Sequence, residues 1–369
     1  MDAGQDDRWM RLALALGARG LGRVWPNPAV GCVIVRDGRV LGRGWTQDGG
    51  RPHAEAMALA QAGAAARGAT AYVSLEPCSH HGKTPPCADA LIAAAVARVV
   101  VAMGDPDPRV AGRGLAALGA AGIAVTEGAC ATEAALAHRG FLSRVTRSRP
   151  MLTLKLATSA DGRIATAAGE SQWITCAPAR AWVHGMRACH DAVLVGAGTA
   201  RADDPSLTVR GLGITHQPVR IVLSRRLDLP HDSALMRSAR DIPVWLCHGP
   251  DAPAAARASW QDAGARLIPV ATGPSGQLDL AAVFAALGDV GLTRVFCEGG
   301  GMLAAGLLGA DLVDDLAVIT AGMVLGAEGT PAVGAMGIAA LAEAPRFALV
   351  EAHALGGDVL SLWSRPTAR

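Results

Sequence analysis

The sequence predicts a protein of the α/β class that is built from two domains. Its 369 residues exceed the usual size of one domain, so two compact units of roughly 150 to 220 residues each are expected. Strand-like apolar segments alternate with segments of helical spacing, a pattern that indicates layered α/β structure. Hydrophobic residues make up 51% of the chain and charged residues 18%, with 45 glycines, and this composition is that of a globular protein.

The elements of the first half follow from apolar spacing and turn residues. Residues 7–16 have helical spacing, and Asp6 or Asp7 is placed to cap that helix. The pair Asp37 and Gly38 is typical of a two-residue hairpin turn. The other predicted segments, in chain order, are strands over 29–35 and 39–45, a helix over 53–66, a strand over 70–75, a helix from near Cys87, a strand over 98–103 and a helix over 114–121.

A change in composition near residue 147 marks the predicted domain boundary. Arg144, Arg147 and Arg149, followed by Pro150, interrupt the alanine-rich pattern and indicate a linker or an exposed connection. Beyond it, apolar segments separated by helical ones predict a second α/β domain, with buried strands over 151–157, 191–195, 219–223, 243–246 and 294–297. The two predicted domains are therefore residues 1–147 and 148–369.

Charge and hydropathy argue against several classes of protein. The formal net charge is only +2 and aromatic residues make up 4%, so the basic surface and the stacking side chains of nucleic-acid binders are missing. The apolar stretch 316–327 is broken by Gly322 and predicts a buried strand rather than a membrane span. Acidic residues precede the first apolar stretch, which is the wrong charge order for a secretory signal. We expect a cytoplasmic protein that acts on a small anionic substrate.

The cysteines are expected to be thiols or metal ligands rather than disulfides. The chain has eight of them and no export signal, and a reducing cytosol does not sustain structural disulfides. Six have no motif partner and are interpreted as small buried hydrophobic residues: Cys32, Cys130, Cys176, Cys189, Cys247 and Cys297.

The other two cysteines belong to a constellation that suits catalytic zinc. His53, Cys78 and Cys87 offer one imidazole and two thiolates, which fill three tetrahedral positions and neutralise Zn²⁺. The fourth position is then open for a water whose pKa the metal lowers. Glu55 lies too close to His53 in sequence to be a comfortable further ligand, and we predict that it carries a proton from that water to a departing amine. Taken singly, each residue type is more often packing or a helix cap.

The segment between Cys78 and Cys87 leaves alternatives open. It holds eight residues, whereas zinc deaminases generally carry two between their cysteines. His80 and His81 lie within it and could reach the metal or, as we prefer, a substrate. A fourth protein ligand would make a nonenzymatic structural zinc module. A nucleic-acid base deaminase fused to an unrelated α/β domain is the other alternative to a small-molecule deaminase.

Long motifs around these residues resemble the bifunctional deaminase/reductase family of bacterial riboflavin biosynthesis. The likeness is carried by residues 26–31, 53–55 and 76–87, and it continues through 105–110. It implies a cytidine-deaminase-like α/β/α sandwich with one zinc ion, which removes the 2-amino group of a diaminopyrimidinone carrying a ribosylamino phosphate. Asn27 is then a pyrimidine or ribose contact, or simply a turn residue beside two prolines.

The second half resembles the reductase of the same family through residues 155–162 and 171–175. The resemblance implies a dihydrofolate-reductase-like α/β fold that uses NADPH to open and reduce the ribose of the deaminated product to a ribityl chain. It implies cofactor contacts at Ala157, Trp173, Thr199, Asp203, Ser224, Gly300, Gly301, Met302 and Leu303. It implies substrate contacts at Ser171, Arg187, Leu207, Arg210 and Glu298. A homo-oligomer is expected.

The residues of this half predict less by themselves. The turn 298–301 follows a predicted strand, and its glycines expose N–H groups that can hold a pyrophosphate, although it is not a G-x-G-x-x-G fingerprint. Two guanidinium groups, those of Arg187 and Arg210, are what a phosphate monoester needs, but alone they would most often be solvated surface charges. Ser224 and Arg225 replace a common Asp-Ser pair, and Arg225 is expected to face either the adenosine 2′-phosphate or solvent. Other departures from the family pattern are Thr46 for a frequent His and Cys176 for a usual Gly.

Overall fold

The computed structural model describes residues 3–80 and 85–366, and the chain divides into two compact units, Met1–Ser148 and Arg149–Arg369. Each unit contains one large sheet with helices, which confirms the predicted α/β class. Within the described residues, no helix combines the length and the apolar character needed to cross a membrane.

The first unit is built on a five-stranded sheet with the order β2-β1-β3-β4-β5. Strands β1, β2 and β3 pair antiparallel, whereas β3, β4 and β5 are parallel. The elements are α1 (Ala3–Gly17), β1 (Gly31–Arg36), β2 (Arg39–Trp45), α2 (Ala54–Ala62), β3 (Thr70–Val73), α3 (Cys87–Ala93), β4 (Arg98–Val101), α4 (Arg113–Ala120), β5 (Ala124–Glu127) and α5 (Ala131–Arg147), with 3₁₀ turns at Ala18–Gly20, Asp48–Gly50 and Gly63–Ala66.

Two local features explain the antiparallel side of this sheet. Asp37 and Gly38 adopt φ values of 52° and 71°, so the predicted hairpin turn between β1 and β2 is confirmed. At Gly31, the first residue of β1, a Cβ atom would collide with the backbone carbonyl oxygen of Ala13 in α1. Glycine is therefore required where α1 lies against the sheet, and apolar clusters on both sheet faces make the α/β/α sandwich.

One prediction for this unit is wrong, a second is wrong in part, and two elements were missed. Helix α1 is already formed at Ala3, so Asp6 and Asp7 lie inside the helix and do not cap it. The side chain of Asp6 is instead buried against Tyr72 and Arg98. The arginines near residue 147 do not form a linker, because Arg144 and Arg147 belong to the last turn of α5, although Arg147 and Ser148 are exposed where the chain divides into its two units. Strand β5 and helix α5 were not predicted.

The second unit is built on a nine-stranded sheet with the order β11-β10-β9-β8-β12-β6-β13-β16-β15. The strands from β11 to β13 in this order are parallel, and β16 and β15 are antiparallel to their neighbours. The elements are β6 (Met151–Ser159), β7 (Arg163–Ala165), α6 (Ala177–Ala188), β8 (Ala192–Gly196), α7 (Ala197–Asp203), β9 (Val219–Leu223), α8 (Ala234–Arg237), β10 (Val244–His248), α9 (Ala254–Asp262), β11 (Arg266–Pro269), α10 (Leu280–Asp289), β12 (Arg294–Cys297), α11 (Gly301–Gly309), β13 (Asp315–Ala321), β14 (Thr330–Pro331), β15 (Ala348–Leu355) and β16 (Asp358–Ser364), with a 3₁₀ turn at Leu341–Glu343.

The five predicted buried strands of this unit correspond to β6, β8, β9, β10 and β12. The predicted strand over 316–327 is shorter than expected, because β13 ends at Ala321 and Gly322 follows. Because β6, β8 and β12 are parallel neighbours, their carboxyl ends meet at one edge of the sheet, where ligands bind in open α/β sheets.

The interpretation of the six cysteines without motif partners is correct for four and wrong for two. Cys32, Cys130, Cys247 and Cys297 are buried. Cys189 is exposed because it follows the last residue of α6, where the chain turns at the surface. Cys176 is half-buried at the opposite end of the same helix, with its thiol directed at the backbone carbonyl of Leu355 at 3.0 Å.

Candidate functional site

The first unit brings His53, Cys78 and Cys87 together. Their side-chain ligand atoms all lie within 4.8 Å of one another. The Nδ1 atom of His53 lies 3.6 Å from the Cys78 sulfur and 3.3 Å from the Cys87 sulfur. His53 occupies the N-cap position of α2, and Cys87 is the first residue of α3. Cys78 lies in the loop after β3. Two helix N-termini and one strand end therefore converge at this point. One imidazole and two thiols fit the donor set of catalytic zinc.

The electrostatics favour a thiolate at Cys78. The pKa of this thiol is lowered to about 4, first by hydrogen bonding with the Cys87 side chain and also by His53, against the effect of burial. The backbone N–H of Cys87 donates to the Cys78 sulfur at 3.4 Å. Since a thiolate is the form of cysteine that binds metal, Cys78 is prepared as a ligand.

Glu55 lies two residues after His53 in the first turn of α2 and is buried. Burial raises the pKa of its carboxyl group, with the opposing charge of His53 as the next influence. A buried carboxyl group with a raised pKa beside a metal-type donor set is suited to accepting and returning a proton near neutral pH.

Three buried polar atoms around this cluster are left without a hydrogen-bond partner by the described residues. The Nε2 atom of His53, the Oγ of Ser79 and the Nδ1 of His80 are buried and have no hydrogen-bond partner among residues 3–80 and 85–366. Buried polar groups are normally paired, so such atoms mark a place for water or substrate. His80 does not belong to the three-residue ligand group. His81 lies outside the described residues.

Glu76, which sequence reasoning left without a role, fastens the metal-binding turn. Its carboxylate accepts hydrogen bonds from the backbone N–H groups of Asp105 at 3.2 Å, Gly112 at 3.0 Å and Gly114 at 2.9 Å. These donors lie between the end of β4 and the first turn of α4, so one buried carboxylate holds that segment against the turn that carries Cys78. A glutamate directly before Pro77 and Cys78 was the available sequence signal.

The second unit contains a cavity of about 550 Å³ at the carboxyl ends of β6, β8 and β12. Its lining includes ten of the predicted cofactor and substrate residues, namely Ala157, Ser171, Trp173, Arg187, Thr199, Asp203, Leu207, Arg210, Glu298 and Gly300. Four predicted cofactor residues are outside that lining, namely Ser224, Gly301, Met302 and Leu303. The last three form the first turn of α11, directly after Gly300, and the side chain of Met302 is 81% exposed.

Arg187 and Glu298 form an ion pair in the wall of this cavity. The guanidinium donates to both carboxylate oxygens, at 2.5 and 2.9 Å, and each side chain is only 11% exposed. Arg187 also donates to the backbone carbonyl of Thr208 at 2.7 Å. Burial alone would raise the pKa of Glu298, but Arg187 outweighs burial and the pKa is lowered. Glu298 therefore stays ionised. Its carboxylate pairs with Arg187, the arginine that was expected to bind a phosphate.

Arg210 lies at an open part of the same wall. Its guanidinium donates to the hydroxyl groups of Ser206 and, at 3.0 Å, of Thr208, and its side chain is exposed. Next to it, the Nδ1 atom of His184 lies 3.1 Å from the Thr208 carbonyl oxygen and 3.2 Å from the Arg210 backbone nitrogen. This corner combines a guanidinium, an imidazole and two hydroxyl groups, which are the donors that bind a phosphate.

A glycine cradle borders the cavity beside Thr199. Gly299 and Gly300 have φ values of 93° and 102°, and a Cβ atom on Gly300 would lie 2.8 Å from the Thr199 hydroxyl. The cradle leads into the N-terminus of α11, where free N–H groups favour an anion. Glycine-lined access to a helix N-terminus is the chemistry that a dinucleotide pyrophosphate needs.

Ser224 and Arg225 are not among the residues that line the cavity, and both have partners within the protein. The Ser224 hydroxyl, which is buried, donates to Asp228 at 3.0 Å. The guanidinium of Arg225 binds the carboxylate of Asp251 at 2.6 Å. In this structure Arg225 therefore faces an acidic side chain, which neither of the two expectations for it included.

The cavity wall formed by residues 171–175 is held by residues distant in sequence. Trp173 is 64% exposed and stacks on the guanidinium of Arg180 at 4.7 Å, and Arg180 also donates to the Thr175 carbonyl at 2.7 Å. The backbone N–H of Cys176 donates to the buried carboxylate of Asp358 at 2.7 Å. Asp358 begins β16, so the last hairpin of the chain fixes the start of α6 and the end of this wall.

Sequence reasoning gave no role to three basic residues of the lining, Lys155, Arg180 and His184. Lys155 interrupts the apolar run of β6, and a lysine inside a predicted buried strand was a usable signal. Burial lowers its pKa, and Glu298 opposes that effect. His184 precedes Arg187 by three residues on α6, a spacing that puts both side chains on one helix face.

Known proteins match the chain over nearly its whole length. The family model for the cytidine and deoxycytidylate deaminase zinc-binding region matches residues 3–103, and the RibD C-terminal domain model matches residues 150–361. The riboflavin biosynthesis protein RibD of Escherichia coli (strain K12) is 44% identical over 376 residues, covering 96% of this chain and 98% of the relative. This chain belongs to the RibD family.

Solved RibD structures agree with this assignment. A structure of Acinetobacter baumannii RibD has a TM-score of 0.89 at 38% identity and covers 99% of this chain and 100% of its own. A diaminohydroxyphosphoribosylaminopyrimidine deaminase/5-amino-6-(5-phosphoribosylamino)uracil reductase from Thermotoga maritima has a TM-score of 0.86 at 32% identity, with 99% of both chains covered.

Membership of the RibD family confirms the predicted fold classes and the predicted type of activity. The chain is a bifunctional enzyme of riboflavin biosynthesis, with a zinc-binding deaminase part and a reductase part. A nucleic-acid base deaminase with an unrelated partner domain is not favoured, because the second half matches the RibD reductase model. A nonenzymatic zinc module is not favoured for the same reason.

Proposed function

We propose that residues 1–147 deaminate a diaminopyrimidinone carrying a ribosylamino phosphate and that residues 148–369 then reduce its ribosyl group to a ribityl chain with NADPH. The observation that carries the first step is the His53, Cys78 and Cys87 ligand group beside the buried Glu55. The Thermotoga maritima relative is named for both reactions, which supports the same substrates here.

In the deaminase, His53, Cys78 and Cys87 would hold one zinc ion. Zinc bound there supplies a Lewis acid and an acidified water. Glu55 accepts the proton released when water adds to the amidine-like carbon and delivers it to the departing amine, so that ammonia leaves. We assign the unpaired atoms of Ser79 and His80 to hydrogen bonds with the pyrimidine, because both are buried without a partner in the described part of the chain.

In the reductase, the glycine cradle and the α11 N-terminus would hold the NADPH pyrophosphate, because they offer free N–H groups without side chains. The nicotinamide supplies the hydride when bound. The protein residues align the two ligands. We assign cofactor contacts to Ala157, Trp173, Thr199, Asp203, Ser224, Gly300, Gly301, Met302 and Leu303. We assign substrate contacts to Ser171, Arg187, Leu207, Arg210 and Glu298.

The Glu55→Gln variant tests the deaminase step. The amide keeps the shape of the side chain but cannot carry the proton, so we expect ammonia release to fall by roughly 10²–10⁴-fold. Zinc measured by elemental analysis should remain at the wild-type content. Asp89→Asn is the matched control, because this exposed acid lies in α3. Wild-type turnover in the Glu55→Gln protein would remove the assigned proton carrier.

A coupled assay tests both halves. With the diaminopyrimidinone phosphate as the only substrate, NADPH oxidation should begin only after ammonia has been released. In the Glu55→Gln variant NADPH oxidation should be absent. Supplying 5-amino-6-(5-phosphoribosylamino)uracil should restore NADPH oxidation in that variant. NADPH oxidation that precedes ammonia release would contradict the order of the steps, and equal rates with NADH would contradict the choice of cofactor.

We also propose a cytoplasmic homo-oligomer that uses the hairpin of β15 and β16. β15 is the edge of the nine-stranded sheet, and Leu349, Val350 and Val359 are 55%, 64% and 50% exposed. An apolar, unpaired edge strand is suited to pairing with another chain. Val350→Lys should lower the mass measured by light scattering, and an unchanged mass would contradict this interface. A reducing cytoplasm would keep Cys78 and Cys87 as thiols.

A further inference from the structure

The basic residues of the reductase cavity are not equally available to a ligand. Arg187 is engaged by both oxygens of Glu298 and by the Thr208 carbonyl. Lys155 interacts with Glu298 and Asp203. Within the described part of the chain, the exposed guanidinium of Arg210 is held by neutral hydroxyl groups, and none of the hydrogen bonds to it comes from a carboxylate.

His184 lies beside that guanidinium and is anchored by one ring nitrogen. Its Nδ1 atom lies against the Thr208 carbonyl oxygen and accepts a hydrogen bond from the Arg210 backbone N–H, whereas its Nε2 atom has no hydrogen-bond partner among the described residues. The side chain lines the cavity and is half-buried. A ring fixed through Nδ1 with a free Nε2 is oriented to receive a ligand.

We propose that His184 is a further binding residue for the phosphate of the reductase substrate, which it holds as an imidazolium together with Arg210, taking up one proton from solvent as the phosphate binds. The proton goes to Nδ1, which then donates to the Thr208 carbonyl instead of accepting from the Arg210 backbone N–H, while Nε2–H donates to a phosphate oxygen. This inference rests on the proposed reductase function.

The electrostatics around the ring support a protonation that depends on the ligand. In the free protein the pKa of His184 is lowered, first by burial and then by Arg187 and Arg210, while Glu298 and the Thr208 carbonyl oppose the shift. These groups come from the helix of His184 itself, from the facing loop and from the end of β12. A phosphate next to the ring adds negative charge that offsets both arginines, so the same imidazole gains a proton in the complex.

The sign of the pH dependence follows from this linkage. Affinity for the phosphorylated substrate is highest at a pH where His184 is protonated in the complex. It falls as the pH rises through the pKa that His184 has in the complex. The phosphate monoester itself ionises near pH 6, so its own titration must be separated from that of the ring. A variant without the imidazole shows the pH dependence that the phosphate alone produces.

The experiment measures reductase kinetics with 5-amino-6-(5-phosphoribosylamino)uracil between about pH 6 and pH 9. We expect His184→Gln to raise the KM for this substrate about tenfold at about pH 6.5, as the loss of a charge-assisted hydrogen bond implies. The difference from wild type should disappear toward the alkaline end. The turnover number and the KM for NADPH should stay unchanged. His231→Gln, an exposed histidine bound to Ser259, is the matched control.

Calorimetry in buffers of different ionisation enthalpy supplies a second readout. Wild type should take up protons on binding the substrate phosphate, and His184→Gln should take up fewer. An unchanged substrate KM, or a raised KM with the wild-type pH profile and proton count, would overturn the inference. A raised KM for NADPH instead would assign the corner to the cofactor and also overturn it. A wild-type protein that does not reduce this substrate would refute the proposed function itself.

Discussion

The Arg187 and Glu298 pair gives the sharpest prediction for stability. Both side chains are 11% exposed, and two hydrogen bonds join them. Arg187→Met removes the cation and leaves a buried carboxylate, which costs about 3–5 kcal/mol when a buried pair is broken on one side. At about 2–4 °C per kcal/mol for a unit of this size, the melting temperature should fall by roughly 6–20 °C.

A double-mutant cycle isolates the pair from the loss of packing. Glu298→Gln in the Arg187→Met background removes the buried charge, so the double variant should recover much of the lost stability. Calorimetric unfolding of the full chain, compared across the four proteins, gives the coupling free energy. We expect at least about 2 kcal/mol.

The matched control is the exposed pair of Arg225 and Asp251, whose side chains are 34% and 44% exposed. Solvent screening should limit its coupling to less than about 1 kcal/mol. The reasoning would be refuted if the coupling free energy of Arg187 and Glu298 were no larger than that of the control pair. Such a result would mean that burial does not strengthen the interaction between the two charges.

Three further predictions concern the first unit. Gly31→Ala should lower the free energy of unfolding by about 1–3 kcal/mol in urea denaturation, because its Cβ collides with the Ala13 carbonyl. Asp6→Ala leaves the guanidinium of Arg98 without its bidentate partner and should cost about 3 kcal/mol at neutral pH. Arg98 is the main cause that lowers the pKa of Asp6 below 3.8. The stability cost of Asp6→Ala should therefore disappear as the pH falls below that lowered pKa, because the wild-type carboxylate is then protonated. Cys78→Ala should abolish zinc binding in elemental analysis and leave reduction of 5-amino-6-(5-phosphoribosylamino)uracil intact.

Each of these has an outcome that would contradict it. Wild-type stability of Gly31→Ala would mean that α1 moves away from β1 at no cost. A cost of Asp6→Ala that is the same at acid and neutral pH would show that the ion pair is not its source. A full zinc content in Cys78→Ala would remove this sulfur from the ligand set.

The sequence determined the metal ligand group and the nature of the first half. His53, Cys78 and Cys87 follow local signals, since each stands at or near a helix start or a strand end that apolar spacing identifies. Continuous runs of apolar residues likewise identified the buried strands β6, β8, β9, β10 and β12. Such features depend on near neighbours in the chain, which a sequence displays directly.

Only the tertiary structure decided how the reductase cavity uses its charges. Arg187 and Glu298 are 111 residues apart, and the carboxylate that fixes the start of α6 comes from Asp358, 182 residues after Cys176. No local pattern indicates which carboxylate an arginine will meet across a parallel sheet. Strand order brings these residues together, and burial then determines which charges are neutralised and which, such as that of Arg210, remain available to a ligand.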